Sequence, residues 1–223
     1  MKQIPLPIGT TAARTFENFA TGANAATLAH LRALRPGAAP VYLWGPTGSG
    51  KTHLTQAVIG QAQADGVRCA SFGADVAAPW LGSEPCAMVV IDDCERLDPE
   101  QQQCAFSLFV QAAEMGATII AAGRLPPVDL ALREDLRSRL GWGHVLTVQA
   151  LSEHGARAEL RHEADRRGIL LTDEVMEYLL TRFARDLKSL FDLLDRLDDF
   201  SMAQQRSVTV PLLKQMLAQG HMA

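Results

Sequence analysis

Apolar residues fall into two regimes along the chain: short, nearly continuous runs up to about residue 150, and helical stripes beyond it. Val41-Tyr42-Leu43-Trp44 is one such run. Four more cover 67–72, 87–92, 118–122 and 144–148. Runs this short, rich in branched side chains and bounded by Gly, Pro or charged residues, predict strands buried on both faces. Stretches with apolar residues three and four apart separate most of them. These predict a helix from about Ala23 to Leu34, stopped by Pro36-Gly37, one from about Lys51 carrying Leu54, Ala57 and Val58, and one from Pro99 to Met115. Five buried strands alternating with helices predict an α/β fold, a parallel sheet between helices. From Leu151 the pattern is helical only. Ser152 opens a helix reaching about Arg167, Thr172 caps a second, and Arg185 to about Phe200 carries Leu187, Leu190, Phe191, Leu194 and Leu197 on one face. Thr209-Val210-Pro211 begins a last short helix. The expected organisation is an extended tail over 1–13, where Pro5 and Pro7 oppose helix, an α/β domain over 14–150 and a small all-α domain over 151–223.

Composition narrows the partners. The 223 residues are 48% hydrophobic with a net charge of −4, and no basic block occurs. A duplex-DNA binder normally shows clustered Lys and Arg, so direct sequence-specific DNA binding is not expected. No apolar run approaches the ~20 residues that span a bilayer, and the N-terminus lacks a signal-peptide stretch. A cytoplasmic protein without a membrane partner is expected. The cysteines Cys69, Cys86, Cys94 and Cys104 form no C-x-x-C pair, and the six histidines make no ligand pattern. Reduced thiols in apolar surroundings are the simpler expectation.

The chemistry concentrates at the end of the first strand. Gly45-Pro46-Thr47-Gly48-Ser49-Gly50-Lys51-Thr52 matches the phosphate-loop pattern G-x-x-x-x-G-K-[ST] at each fixed position. The glycines let successive N–H groups turn inward around an anion. Lys51 can reach the β- and γ-phosphates, Thr52 can take a place on Mg²⁺, and the following helix points its positive end at the same phosphates. Met88-Val89-Val90-Ile91 ends in Asp92-Asp93. An acid at the end of an apolar strand, in a chain that also carries a phosphate loop, is expected to help hold the metal. The expected ligand is ATP or ADP with Mg²⁺, the adenine preference coming only from the resemblance below.

These motifs resemble those of the AAA+ ATPases, and within them the DnaA initiator clade. Thr15-Phe16-Glu17-Asn18-Phe19 with Gly22-Ala23-Asn24 is similar to the clade's N-terminal pocket motif. Trp44 to Leu54 resembles its phosphate loop, and Ile91-Asp92-Asp93 its metal motif. Ser138-Arg139-Leu140-Gly141-Trp142-Gly143 resembles its arginine-finger box. The resemblance extends over nearly all of the chain from Thr15. It implies nucleotide contacts from Phe19, Asn24, the loop residues 45–52 and His53, and from Arg185 in the lid. It implies metal binding by Thr52 and Asp92, and Arg139 acting in trans on a neighbour's γ-phosphate, with Arg137 helping to position it. Gln3-Ile4-Pro5-Leu6-Pro7-Ile8 resembles the peptide that docks on the bacterial sliding clamp, with Gln3, Ile4, Leu6, Pro7 and Ile8 as contacts.

Two departures from the initiators sharpen the expectation. The lid pattern is complete at Ala223, so no helix-turn-helix DNA-binding domain is expected. Only Gly73 to Cys86 separates the second and third strands, with no room for the initiators' additional helical insertion. Together with the tail, these features resemble DnaA-related regulators that inactivate the initiator by promoting hydrolysis of its bound ATP. The end of the fourth strand, Ala121-Ala122-Gly123, lacks the polar residue that orients lytic water. Asp93 stands where a longer Glu is usual, a weak water-polarising group. Arg124 is a candidate substitute. Slow intrinsic hydrolysis and ADP as working ligand follow as expectations. A self-contained ATPase such as a helicase loader, or a nucleotide-dependent adaptor, are the alternatives, and self-association into a homo-oligomer stays open.

Overall fold

The computed structural model describes residues 13–80, 86–183 and 187–220. Five strands, β1 (Val41–Trp44), β2 (Cys69–Phe72), β3 (Met88–Ile91), β4 (Thr118–Gly123) and β5 (His144–Thr147), form one sheet in the order β2-β3-β4-β1-β5. Every pairing is parallel. Helices α1 (Ala25–Arg32), α2 (Lys51–Ala64), α3 (Pro99–Met115) and α4 (Glu134–Leu140) belong to this part. Helices α5 (Glu153–Arg166), α6 (Asp173–Arg182), α7 (Leu187–Gln204) and α8 (Val210–Gly220) follow as a separate cluster.

The three inner strands β1, β3 and β4 show why their runs are continuous. Side chains alternate across a pleat, so a sheet covered on both faces needs apolar residues at every position. The edge strands β2 and β5 depart from the expectation of burial on both faces, with Ser71, His144, Val145 and Thr147 exposed, because each has a neighbour on one side only. Val41 and Leu43, Met88 and Val90, and Ile120 and Ala122 pack toward α1 and α2 with Leu31, Leu54 and Val58. Their neighbours Tyr42, Val89, Ile91, Ile119 and Ala121 pack on the opposite face with Phe109 of α3 and Leu136 and Leu140 of α4. The helical part buries its own core, including Leu160, Met176, Leu179, Leu190, Leu194 and Leu213.

Local chemistry sets the element ends. Asp98 and Gln101 form a reciprocal capping box at the start of α3, with bonds of 2.8 and 2.9 Å and Pro99 in the first turn. The Gln101 amide also donates to Val76 O at 2.9 Å, which fixes the segment after β2. Thr172 caps α6 and Ser152 caps α5 through their hydroxyls. Among the described residues between β2 and β3 no helix forms, and Trp80 stacks on Phe72 at 5.2 Å in their place.

The periodicity does not predict α4. At seven residues and without a side-chain cap, it is too short to show a stripe. Its traces are the Leu136–Leu140 pair, Glu134 and Asp135 in the first turn, and Arg137 and Arg139 in the last. That charge order opposes the helix dipole favourably.

Candidate functional site

The loop between β1 and α2 lies at the carboxyl ends of the central strands. Gly45 N donates to Gly123 O at 3.3 Å, joining the loop's first residue to the end of β4. Gly45 has no room for a side chain, since a Cβ there would lie 2.1 Å from Val148 O. Gly50 has φ +98°, and a Cβ on it would meet the Phe19 ring at 2.6 Å. Both positions exclude any L side chain, one by contact with backbone and the other by conformation as well. The ring of Phe19 therefore braces the loop from outside, and His53 meets it edge-on at 5.3 Å. His53 Nε2 bonds Thr15 O at 2.8 Å, and burial lowers the imidazole's pKa, which favours a neutral ring donating that bond.

Lys51 is buried, and its Nζ donates to Gly45 O at 2.8 Å and Pro46 O at 3.0 Å. Burial pulls its pKa down, while Glu95, Asp92 and Asp93 push it back up. Ser49 Oγ is buried in the same loop without a hydrogen-bond partner among the described residues. A buried unpaired hydroxyl costs about 1–3 kcal/mol, so a ligand oxygen beside it has a place to bond. A glycine cradle, an unpaired hydroxyl and a buried ammonium are a donor set that fits phosphate oxygens. The Asp92 carboxylate accepts from Asp93 N at 2.9 Å, and burial raises its pKa while the nearby Thr52 hydroxyl lowers it. An alcohol and a carboxylate oxygen side by side suit a hard divalent cation such as Mg²⁺.

Other predicted residues stand differently. Asn24 spends its amide on backbone far away in sequence, donating to Gln149 O at 2.9 Å and accepting from Gln149 N at 2.7 Å. It ties the start of α1 to the segment after β5. Asp93 adopts the left-handed conformation, φ 51° and ψ 45°, and its carboxylate pairs with Arg96 at 3.3 Å. Arg139 lies in the last turn of α4 with its guanidinium 5.1 Å from the Trp142 ring centre. No ion pair holds it among the described residues. Trp142 is 67% exposed. Arg185 and the tail residues Gln3, Ile4, Leu6, Pro7 and Ile8 lie outside the described residues.

Sequence reasoning missed Glu95. Its Oε2 accepts from Arg124 N at 3.1 Å, which brings the carboxylate to the end of β4. Three acids within four residues of a strand end were the available signal. Only the left-handed turn at Asp93 shows where the third one goes.

A family model described as "Hda, lid domain" matches residues 153–217. A protein of Haemophilus influenzae, described as uncharacterised, is 34% identical over 230 residues, spanning 97% of this chain and 98% of its own. Among solved structures, domain III of the Thermotoga maritima replication initiation protein DnaA superposes with a TM-score of 0.77 at 20% identity, covering 93% of this chain and 97% of that one. AMPPCP-bound DnaA from Aquifex aeolicus gives a TM-score of 0.68 at 20% identity, covering 84% of this chain and 65% of the other. Both likenesses speak to the fold.

Proposed function

Since the chain belongs to the Hda family of DnaA-related AAA+ proteins, we propose that it is a nucleotide-bound regulator that acts on a DnaA-type initiator. In this proposal Arg139 is supplied in trans to ATP held by the initiator. The observation that carries it is the condition of Arg139 itself. It stands at the end of α4 against a ring, with no carboxylate neutralising it among the described residues. A guanidinium is planar, permanently charged and weakly hydrated, which suits it to charge developing on a transferred phosphoryl group. Arg137, two positions earlier, would orient the partner or its nucleotide.

The chain's own site would hold ADP through the loop backbone from Gly45 to Lys51, with Ser49 and Lys51 as side-chain donors. Thr52 and Asp92 would hold Mg²⁺, which when bound neutralises part of the phosphate charge. Intrinsic hydrolysis is expected to be slow for two reasons. The end of β4 offers no side-chain donor, and the Asp93 carboxylate faces Arg96. Arg185 would close over the β-phosphate from the lid. The segment Gln3 to Ile8, with Gln3, Ile4, Leu6, Pro7 and Ile8 as contacts, would recruit the chain to the sliding clamp. Prolines there limit the conformations lost on docking.

The test is phosphate release from an ATP-loaded DnaA-type initiator in the presence of clamp assembled on DNA, with and without the chain. Stimulation that disappears with Arg139→Ala supports the proposal. Equal stimulation by that variant sinks the role of Arg139. Brisk single-turnover ATP cleavage by the chain alone would favour a self-contained ATPase instead.

A further inference from the structure

Given a nucleotide at the phosphate loop as proposed above, we propose that Glu95 sets which phosphate state the site accepts, favouring a nucleoside diphosphate over a triphosphate. The starting point is the bare end of β4. Gly123 has no side chain, yet the space beside its Cα is filled: a Cβ there would meet Tyr42 Oη at 2.2 Å and Glu95 Oε2 at 3.1 Å. The polar groups absent from β4 in sequence are thus present in space, delivered by β1 and by the turn after β3. Their chemistry is the reverse of what a terminal phosphate needs. Tyr42 has committed its proton to Leu125 O at 2.8 Å, and burial raises its pKa, so it stays a neutral phenol whose hydrogen is already used. Glu95 accepts from Arg124 N, leaving an acceptor and a negative charge at this position.

This carboxylate lies next to the loop. Gly123, the residue it crowds, gives its carbonyl to Gly45 N, the first amide of the loop. Lys51 Nζ donates to the carbonyl of that same Gly45 at 2.8 Å, so one residue joins the loop's cation to the strand end that Glu95 crowds. Lys51 is the cation that would meet the added charge of a third phosphate. Asp93 is offset by Arg96 and Asp92 would face Mg²⁺, so the further negative charge of a triphosphate, about one, is set against the Glu95 carboxylate. The left-handed turn at Asp93 is what aims Glu95 back at β4 instead of out to solvent.

The experiment is calorimetric titration of the intact, nucleotide-free chain with ADP and with the non-hydrolysable analogue AMPPCP, Mg²⁺ present. The wild type is expected to bind ADP more tightly. Glu95→Gln keeps the shape and removes the charge, so it should tighten AMPPCP roughly tenfold while changing ADP less than about threefold. Tyr42→Phe removes a hydroxyl without touching charge and should leave the ratio of the two affinities within about twofold. An unchanged ratio in a Glu95→Gln variant that melts like wild type overturns the assignment. So does an equal weakening of both ligands, or a fall in intrinsic turnover with no change in ratio, which would make Glu95 a hydrolytic group. A wild type that binds neither nucleotide overturns nucleotide binding itself. A shifted ratio with no stimulation of the initiator leaves Glu95 standing and removes only the role of Arg139.

Discussion

The phosphate loop and the end of α4 both present a cation, and they hold it in opposite ways. Lys51 is 7% exposed and bonded to two carbonyls, and the acids Glu95, Asp92 and Asp93 favour its charged form. Arg139 is half-buried, rests on one indole, and meets no acid among the described residues. Burying a bare ammonium costs several kcal/mol, so Lys51 needs a partner whether or not a phosphate is there. A surface guanidinium carries little such penalty, so Arg139 can stay unpaired until something arrives. A resident ligand and a visiting one call for these two arrangements.

The difference can be broken from either side. The largest effect is expected from Arg139→Ala. It should lower stimulation of the initiator's ATP hydrolysis by about 10³-fold while leaving ADP affinity of the chain unchanged, as read by phosphate release and calorimetry. Lys51→Met should do the converse at its own site, weakening ADP by about 100-fold through loss of a charged donor in a buried loop. A Lys51 variant with intact ADP affinity would mean that the backbone cradle alone holds the phosphates. Trp142→Ala sharpens the contrast, because it removes the platform and keeps the cation. Stimulation should drop about fivefold, in keeping with a cation–π contact worth roughly 1 kcal/mol, and Trp142→Phe should restore most of it.

The smallest effect concerns the helical part. Glu163 accepts from Arg166 Nε at 2.8 Å and Arg167 Nε at 2.6 Å. Hydrogen bonds from Arg166 first, then Arg167, hold its carboxyl below the ordinary value of 4.5. A carboxyl with a depressed folded pKa contributes stability above the unfolded value and loses it as pH falls through the folded one. Glu163→Gln should therefore lower Tm by about 2 °C at pH 7, with the gap closing below pH 4.5. A gap that persists to pH 3 would assign the effect to packing.

The sheet was legible in the sequence because each central strand is apolar on both faces, and nothing but burial between two helical layers accounts for that. The loop was legible because its chemistry is local: eight consecutive residues carry the glycines, the lysine and the threonine. What escaped was decided over distance. Asn24 reads as a pocket residue, yet its partner lies 125 residues on. Glu95 reads as one more acid in a turn until Asp93 adopts φ 51° and swings it toward β4. Helix α4 escaped for the reason that makes it useful: two turns are enough to lift Arg139 and too few to leave a periodic signature.

The tie at Asn24 reaches beyond its own two hydrogen bonds. Thr27 adds another, to Thr147 O at 3.0 Å. Gly22 sits close enough to Leu151 that a Cβ there would meet its Cδ2 at 2.7 Å. Three successive points of the N-terminal segment are thus riveted to three points of the chain just before the helical part begins. A swing of those helices must pivot beyond Leu151, and pull on the segment before Gly22 is delivered at the foot of the same pivot. Tether and hinge share one mechanical footing.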